Sequence, residues 1–293
     1  MSERLALLVN PTSGNGRHRD AAGSVLARLG ESGYDVTRME GRDVEESAAL
    51  AARAVQEGYQ ALVVMGGDGM VRLALQAVAY SATALGIIAT GTGNDAARAL
   101  GLPLRRPLDA ADVVCAGSIR TLDAAQVGTE YFATVLAAGF DSLVNERANR
   151  LTWPHGQLRY PLATLAELRV LRPRPYVLEV DGERRELEAV LVAVGNTSSY
   201  GGGLQICAGA RPDDGYLDVA VVRPIGRAQL VSVYPRLFRG THVHHPAYEH
   251  RLAKRVRIEA PGIVAYADGE RLGPLPVTVD VAPAAVRVFA PAG

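Results

Sequence analysis

Three glycine-bearing loops each follow a short apolar run. Asn10 to Gly16 follows Leu5 to Val9, Gly66-Gly67-Asp68-Gly69 follows Ala61 to Met65, and Gly91-Thr92-Gly93-Asn94-Asp95 follows Ala84 to Ala89. Glycines let a backbone approach an anion closely, and successive N–H groups form a nest for phosphate oxygens. A helix N-terminus directly after the loop adds partial positive charge. One such loop is an ordinary turn, but three along one edge of a sheet point to phosphate binding. Asp68 sharpens the reading, because a carboxylate there repels phosphate unless a divalent cation lies between them. Mg²⁺ suits that place, since it takes one or two carboxylates together with phosphate oxygens. The plainer role, a helix N-cap, is compatible with it. No G-x-x-x-x-G-K-[ST] occurs, which excludes a P-loop. Gly91 to Ala96 fits G-x-G-x-x-A, but it follows a late strand and leaves the Gly66 loop without a role, so a redox dinucleotide is disfavoured.

Glu270 follows an Asp268-Gly269 turn and the apolar run Ile263 to Ala267, which puts it at a strand end. A carboxylate there suits a general base for phosphoryl transfer to an alcohol, tuned by burial in a cleft; an ordinary hairpin with a solvated glutamate fits equally. Asp213-Asp214-Gly215 reads first as a turn. Between Arg147 and Arg174 lie six arginines against one acid, Glu167, with Trp153, Tyr160 and several leucines. That mixture fits either a surface meeting anionic lipid or a solvated helix face. His242, His244, His245 and His250 have no carboxylate or cysteine at ligand spacing and read as a surface loop.

The elements that hold these residues fall into two kinds. Up to about residue 100, continuous apolar strands alternate with helices (17–33, 44–57, after Gly69 to Ala79, and a short one ending at Leu100), the pattern of a parallel sheet covered on both faces. After about residue 120, strand-like runs follow one another at 131–136, 176–180, 188–194, 217–222, 256–259 and 277–281. Asp-Gly turns at 181, 214 and 268, with helical stretches near 141–172 and 227–239, complete an antiparallel sandwich. The expected fold is an α/β nucleotide-binding domain over 1–121 followed by a β-sandwich over 122–293, with the last strand free to return to the first domain. Lys+Arg and Asp+Glu are equal at 31 each, which gives no case for nucleic acid as a partner. Cys115 and Cys207 lie far apart and read as buried thiols of a reducing compartment. No stretch approaches a membrane span or a signal-peptide core, so a cytoplasmic protein, at most peripheral at the inner membrane face, is expected.

At these residues the chain resembles the catalytic domain of bacterial diacylglycerol kinases and related lipid kinases. The likeness rests on Asn10-Pro11 with Gly14-Asn15-Gly16, Gly66 to Gly69, and Gly91 to Asp95. It continues through Ala138-Gly139-Phe140-Asp141, Gly195-Asn196, Asp213-Asp214-Gly215 and Asp268-Gly269-Glu270, in order along the chain. The resemblance implies the NAD kinase and sphingosine kinase fold group, with ATP as co-substrate and Mg²⁺ as cofactor. It places Asn10, Gly66, Gly67, Asp68, Gly69, Met70, Thr92, Gly93 and Asn94 at the nucleotide. Glu270 would be the base, working with Asp68, and Asp214 with the backbone carbonyls of Arg211 and Tyr216 would hold a structural Mg²⁺. Met70 departs from the family's usual threonine and removes a hydroxyl from the first motif. The expected activity is phosphorylation of diacylglycerol to phosphatidic acid, a step of phospholipid biosynthesis, with the lipid presented at a membrane surface and a homodimer left open. The alternatives are a sphingoid base or other lipid alcohol as acceptor, an NAD kinase, and a non-catalytic lipid- or nucleotide-binding protein.

Overall fold

The computed structural model describes residues 3–10, 17–150, 163, 166–167, 170 and 172–291. Pro11 and the Gly14-Asn15-Gly16 part of the opening loop lie outside these residues, as do Trp153, Tyr160 and most of the 147–174 arginine stretch.

The first half alternates strand and helix: β1 (Arg4–Val9), α1 (Arg17–Glu31), β2 (Asp35–Glu40), α2 (Val44–Gln56), β3 (Ala61–Gly66), α3 (Asp68–Val78), β4 (Ala84–Ala89), α4 (Asp95–Ala99) and α5 (Pro107–Cys115). Strands β1 to β4 pair in parallel in the order β2-β1-β3-β4. Every residue of β3 and β4 is buried, which is why they read as unbroken apolar runs: helices cover both faces. One face carries α2 and α3, with Ala51, Ala54, Val71, Ala74 and Leu75 packed on Leu62, Val64 and Ile87. The other carries α1 and α5, with Val25, Leu29, Ala110 and Val114 on Leu5, Leu7 and Val63.

The second half begins with β5 (Ile119–Val127), β6 (Glu130–Phe132), β7 (Val135–Gly139) and α6 (Phe140–Arg150). It continues through β8 (Arg174–Val180), β9 (Glu183–Ala189), β10 (Leu191–Gly195), β11 (Leu217–Val222), α7 (Arg227–Leu237) and a 3₁₀ turn at Thr241–His244. It ends with β12 (Tyr248–Ala253), β13 (Arg255–Glu259), β14 (Val264–Ala267), β15 (Glu270–Pro274) and β16 (Val277–Phe289). A second, antiparallel sheet runs β12-β11-β10-β7-β14-β15. It packs its Leu136, Ala138, Val192, Val194 and Val219 face against Tyr176, Leu178, Val256 and Ile258 of the first sheet.

β16 ties the halves together. Its start pairs antiparallel with β13 and its end lies parallel to β4 through Val288 and Leu85. The register against β5 shifts between Ala282 and Val286. There Ala284 takes a left-handed φ of 51°, and its N–H donates to the Asp123 carboxylate at 2.7 Å. A bulge that bends one long strand from one packing partner to the next is the expected use of such a shift.

Several elements differ from the sequence reading. The run expected at 131–136 is two strands, β6 and β7, split at Ala133-Thr134 because both N–H groups there are held by Asp268. The 188–194 run is the end of β9 and most of β10, and 277–281 opens a strand of 13 residues. Helix α5 and strands β5, β12 and β15 were not expected. His242 is 2% exposed, packed edge-on against Tyr248 with Nε2 3.3 Å from the Ile206 carbonyl, so this histidine is core rather than surface loop. Cys207 is buried, while Cys115 is partly exposed, and both are free.

Candidate active site

The loops after β3 and β4 touch through bare backbone. A Cβ on Gly91 would lie 2.5 Å from the Gly67 Cα, and one on Gly93 would lie 2.7 Å from the Asp68 Oδ2. A side chain at 91 would collide with backbone, and one at 93 would displace the Asp68 carboxylate. The Thr90 N–H donates to the Gly66 carbonyl at 2.8 Å, and Asn10 follows on the next strand, its N–H reaching the Met65 carbonyl at 3.3 Å. Strand order alone thus brings Asn10, the Gly66 loop and the Gly91 loop to one edge, at the carboxyl ends of parallel strands, where ligands bind in such sheets.

Asp68 is the first residue of α3, with Gly67 as the N-cap. Its Oδ1 accepts the Ala96 N–H at 3.3 Å. The carboxylate therefore does serve a helix start, but that of α4, and in doing so it crosses from one loop to the other. Asn94 precedes α4 in a left-handed conformation, φ 56° and ψ 42°, and its Nδ2 donates to the Gly91 carbonyl at 2.8 Å. Thr92 is exposed at the tip.

Asp95 reads in the sequence only as the end of a loop, yet it is the more buried of the two loop acids. It is 6% exposed, its Oδ2 accepts the Gly202 N–H at 2.8 Å, and its Oδ1 has no hydrogen-bond partner. The Arg98 Nε lies 3.8 Å from that oxygen. Burial pushes the Asp95 pKa above the usual carboxylate value; the Asp68 charge pushes it further, while the Gly202 N–H and Arg98 oppose the shift. A buried acid with an orphaned oxygen beside a second acid is the chemistry of a cation site. Mg²⁺ fits these two residues on that ground.

The sign of the Asp95 shift gives a stability prediction. A folded-state pKa above the unfolded value of about 3.9 means that folding favours the proton. Stability is then lost as pH climbs through the unfolded and then the folded value, and ionised Asp95 is a net cost at neutral pH. Asp95→Asn is expected to raise the unfolding midpoint at pH 7 without cation by about 2 °C or more, and to lose that advantage near pH 3. Thermal melts across pH measure it; a lower midpoint at pH 7 would contradict the assigned strain.

Two arginines invisible as site residues in the sequence bracket the second loop. Arg98 donates to the Gly93 carbonyl at 3.1 Å. Arg105 donates to the carbonyls of Gly91 and Thr92 at 3.4 and 3.2 Å. Both bring positive charge to the second loop.

Glu270 opens β15 across the cleft. Asp268 and Gly269 have φ of 51° and 82°, two consecutive left-handed residues that make a tight hairpin. Asp268 locks the hairpin down. Its oxygens accept from Ala133 N, Thr134 N and Thr134 Oγ1 at 2.9, 2.8 and 2.6 Å. Burial raises its pKa, with these hydrogen bonds and Arg72 opposing. Arg72, on α3, donates to the Ala267 carbonyl at 2.9 Å and so fixes the hairpin against the helix that starts at Asp68. An open cleft results, lined by Asn10, Gly67, Gly69, Met70, Arg72 and Glu270 among others. Glu270 itself is exposed, so the expected tuning by burial is not present in the chain alone. Met70 is 6% exposed and packs over Gly66, where a Cβ would meet its Cγ at 2.5 Å; it serves the core beneath α3.

Arg211, Asp214 and Tyr216 do not line this cleft. Asp214 accepts the Tyr216 N–H at 3.0 Å in an Asx-type turn. The loop is held from below by Asp123, which accepts the Gly215 N–H at 2.7 Å, and by Arg120 on Asp213 at 2.9 Å. Asp123 had no signal in the sequence, since its strand was not recognised.

Similarity to known proteins covers both halves of the chain. Residues 4–127 match the family described as the diacylglycerol kinase catalytic domain, and residues 134–290 match the YegS C-terminal NAD kinase beta sandwich-like domain. A diacylglycerol kinase of Mycobacterium tuberculosis is 45% identical over 98% of this chain and 95% of that protein. One of Bacillus subtilis is 29% identical over 94% and 92%. A crystal structure of a putative diacylglycerol kinase from Bacillus anthracis superposes with a TM-score of 0.84 at 23% identity, covering 98% of this chain and 95% of that one. The α/β sheet with its antiparallel partner is thus the fold expected from the sequence, and the residue matches span both halves. With a catalytic-domain match across the loops that build the cleft, and a relative similar over nearly its whole length, the chain belongs to the diacylglycerol kinase family of lipid kinases.

Proposed function

We propose that the cleft transfers the γ-phosphate of ATP to the free hydroxyl of diacylglycerol, giving phosphatidic acid, with Mg²⁺ held by Asp68 and Asp95. The observation that carries this reading is the Gly67–Gly91 contact, which sets two glycine loops beside two carboxylates, one with an oxygen that has no hydrogen-bond partner. Bound Mg²⁺ supplies charge neutralisation at the phosphate oxygens, the larger part of catalysis in phosphoryl transfer. Gly66, Gly67, Gly69, Thr92, Gly93 and Asn94 cradle the phosphates through backbone and short side chains, Asn10 closes the edge, and Arg98 and Arg105 keep the second loop in shape. Glu270 takes the proton from the acceptor hydroxyl as its oxygen bonds to the γ-phosphorus and ADP leaves. Because Glu270 stands at an exposed rim, covering it with the lipid is what desolvates it. Asp214, with the carbonyls of Arg211 and Tyr216, is the place for a second cation with a structural role, ordering the loop that Asp123 anchors.

The acceptor is assigned as diacylglycerol because the relatives from M. tuberculosis and B. subtilis carry that name. Radiolabelled ATP incubated with a panel of lipid alcohols in detergent micelles tests it. Label is expected in phosphatidic acid. Label confined to a sphingoid base or to NAD, or no transfer with nucleotide binding retained, would overturn the reading.

A further inference from the structure

Helix α3 carries three polar side chains on one stripe. Asp68, Arg72 and Gln76 stand at i, i+4 and i+8, so they lie on one face in successive turns. The rest of the helix turns to the core through Val71, Ala74, Leu75 and Val78. Each member of the stripe grips something different. Asp68 takes the Ala96 N–H across the two loops. The Arg72 Nη1 donates to the Ala267 carbonyl at 2.9 Å, and its Nη2 donates to the Glu130 carboxylate. Gln76 pairs with the Tyr131 backbone in both directions: its Nε2 donates to the carbonyl and its Oε1 accepts the N–H, each at 2.8 Å.

The last two contacts join α3 to neighbouring strands of the second half. Tyr131 lies in β6 and Ala267 ends β14. Asp268 links those strands by holding the Ala133 and Thr134 N–H groups. Bonds therefore run from α3 to β6, on to Asp268, and back through Ala267 to α3. Across the hairpin, the residue paired with Ala267 is Glu270. The ring thus closes on the backbone partner of the proposed base.

The two bonds of Arg72 differ in weight. The Glu130 side chain is 58% exposed, and an ion pair open to water contributes about 1 kcal/mol or less. The Arg72 side chain is only 13% exposed, and its bond to a carbonyl is charge-assisted, about twice as strong as a neutral one. Glu130 steers the guanidinium, while the sheltered bond sets where the hairpin sits. Along α3, Arg72 is one turn past Asp68, a rise of about 6 Å. A planar, rigid group therefore spans the gap between the cation end of the helix and the strand that carries Glu270.

We propose that Arg72 is a positioning residue: through the Ala267 carbonyl it sets the distance from Glu270 to the phosphates held at Asp68. The nucleotide loop and the base then form one frame instead of two independent jaws. This rests on the reading of Glu270 as the base. Arg72→Met keeps the volume of the stem and removes both bonds. At saturating Mg·ATP and diacylglycerol its turnover is expected to fall about 10- to 10²-fold, the effect of displacing a reacting group by about 1 Å. Its ATP affinity is expected to stay within about twofold, since the interaction lost acts in the transition state. Arg72→Lys, which keeps the charge but lacks the fork, serves in the same measurements should thermal melts show the methionine variant unfolded.

The double variant Arg72→Met/Glu270→Gln, in single-turnover kinetics, separates positioning from simple bracing. A residue that works through the base has nothing left to position once the base is gone. The double variant is therefore expected to match Glu270→Gln within about twofold. Losses that multiply would overturn the positioning role, because a brace that only stabilises the fold acts independently of Glu270. An undiminished rate in the single Arg72 variant would overturn it as well. A wild-type rate for Glu270→Gln alone would remove the base and this role together, whereas a slow Glu270→Gln with multiplying losses removes this role and leaves the base in place.

Discussion

Asp68→Ala should lower lipid kinase turnover by about 10²- to 10³-fold, the scale of losing one group that stabilises developing phosphate charge, here through the cation Asp68 would hold, while leaving a folded protein. Asp68 starts α3, accepts the Ala96 N–H of α4, and lies close enough to Asp95 to raise the pKa of that acid. Removing it takes away half of the proposed cation site and the bond from Asp68 to the Ala96 N–H that joins the two loops. The structural cost is small: one long capping bond of 3.3 Å, worth about 1 kcal/mol, offset by relief of repulsion on Asp95. Turnover at saturating Mg·ATP, with a thermal melt of the same sample, separates the two effects. Wild-type turnover would remove Asp68 from the mechanism.

Glu270→Gln should reduce turnover by about 10²- to 10⁴-fold, the usual worth of a general base, with ATP affinity nearly unchanged. Glutamine keeps the shape and loses only the ability to take a proton. The residue is exposed and opens β15 after a hairpin held by Asp268 rather than by itself, so the substitution leaves the fold alone. Single-turnover rates paired with calorimetric titration of ATP would read the two quantities. An unchanged rate would mean that the acceptor is deprotonated elsewhere.

Sequence reasoning succeeded where one local cause dominates. β1, β3 and β4 are buried on both faces and so are continuous apolar runs, and the glycines at 67, 91 and 93 are there because backbone meets backbone or carboxylate. Asp268-Gly269 adopts the two left-handed conformations that its turn type requires. Elsewhere the cause is distant. β5 opens with Ile119, Arg120 and Thr121 largely outside the core, and β12 is an edge strand with Glu249, His250 and Arg251 in succession, so neither has an apolar run to find. The break between β6 and β7 depends on Asp268, more than 130 residues away in sequence. Asp95 and Arg105 matter for what they face across the loop, and Asp123 for joining β16 to the 211–216 turn. Such roles arise only when strands from both ends of the chain lie side by side.

The whole account turns on whether the two contacting loops form one nucleotide and cation site. Crystals of the full chain grown with Mn²⁺ and a non-hydrolysable ATP analogue, measured at the manganese absorption edge, address that directly. An anomalous peak at coordination distance from Asp68 and Asp95, with the triphosphate on the N–H groups of the Gly66 and Gly91 loops, is the predicted result. Manganese and nucleotide bound together elsewhere, with both loops unoccupied, would contradict it.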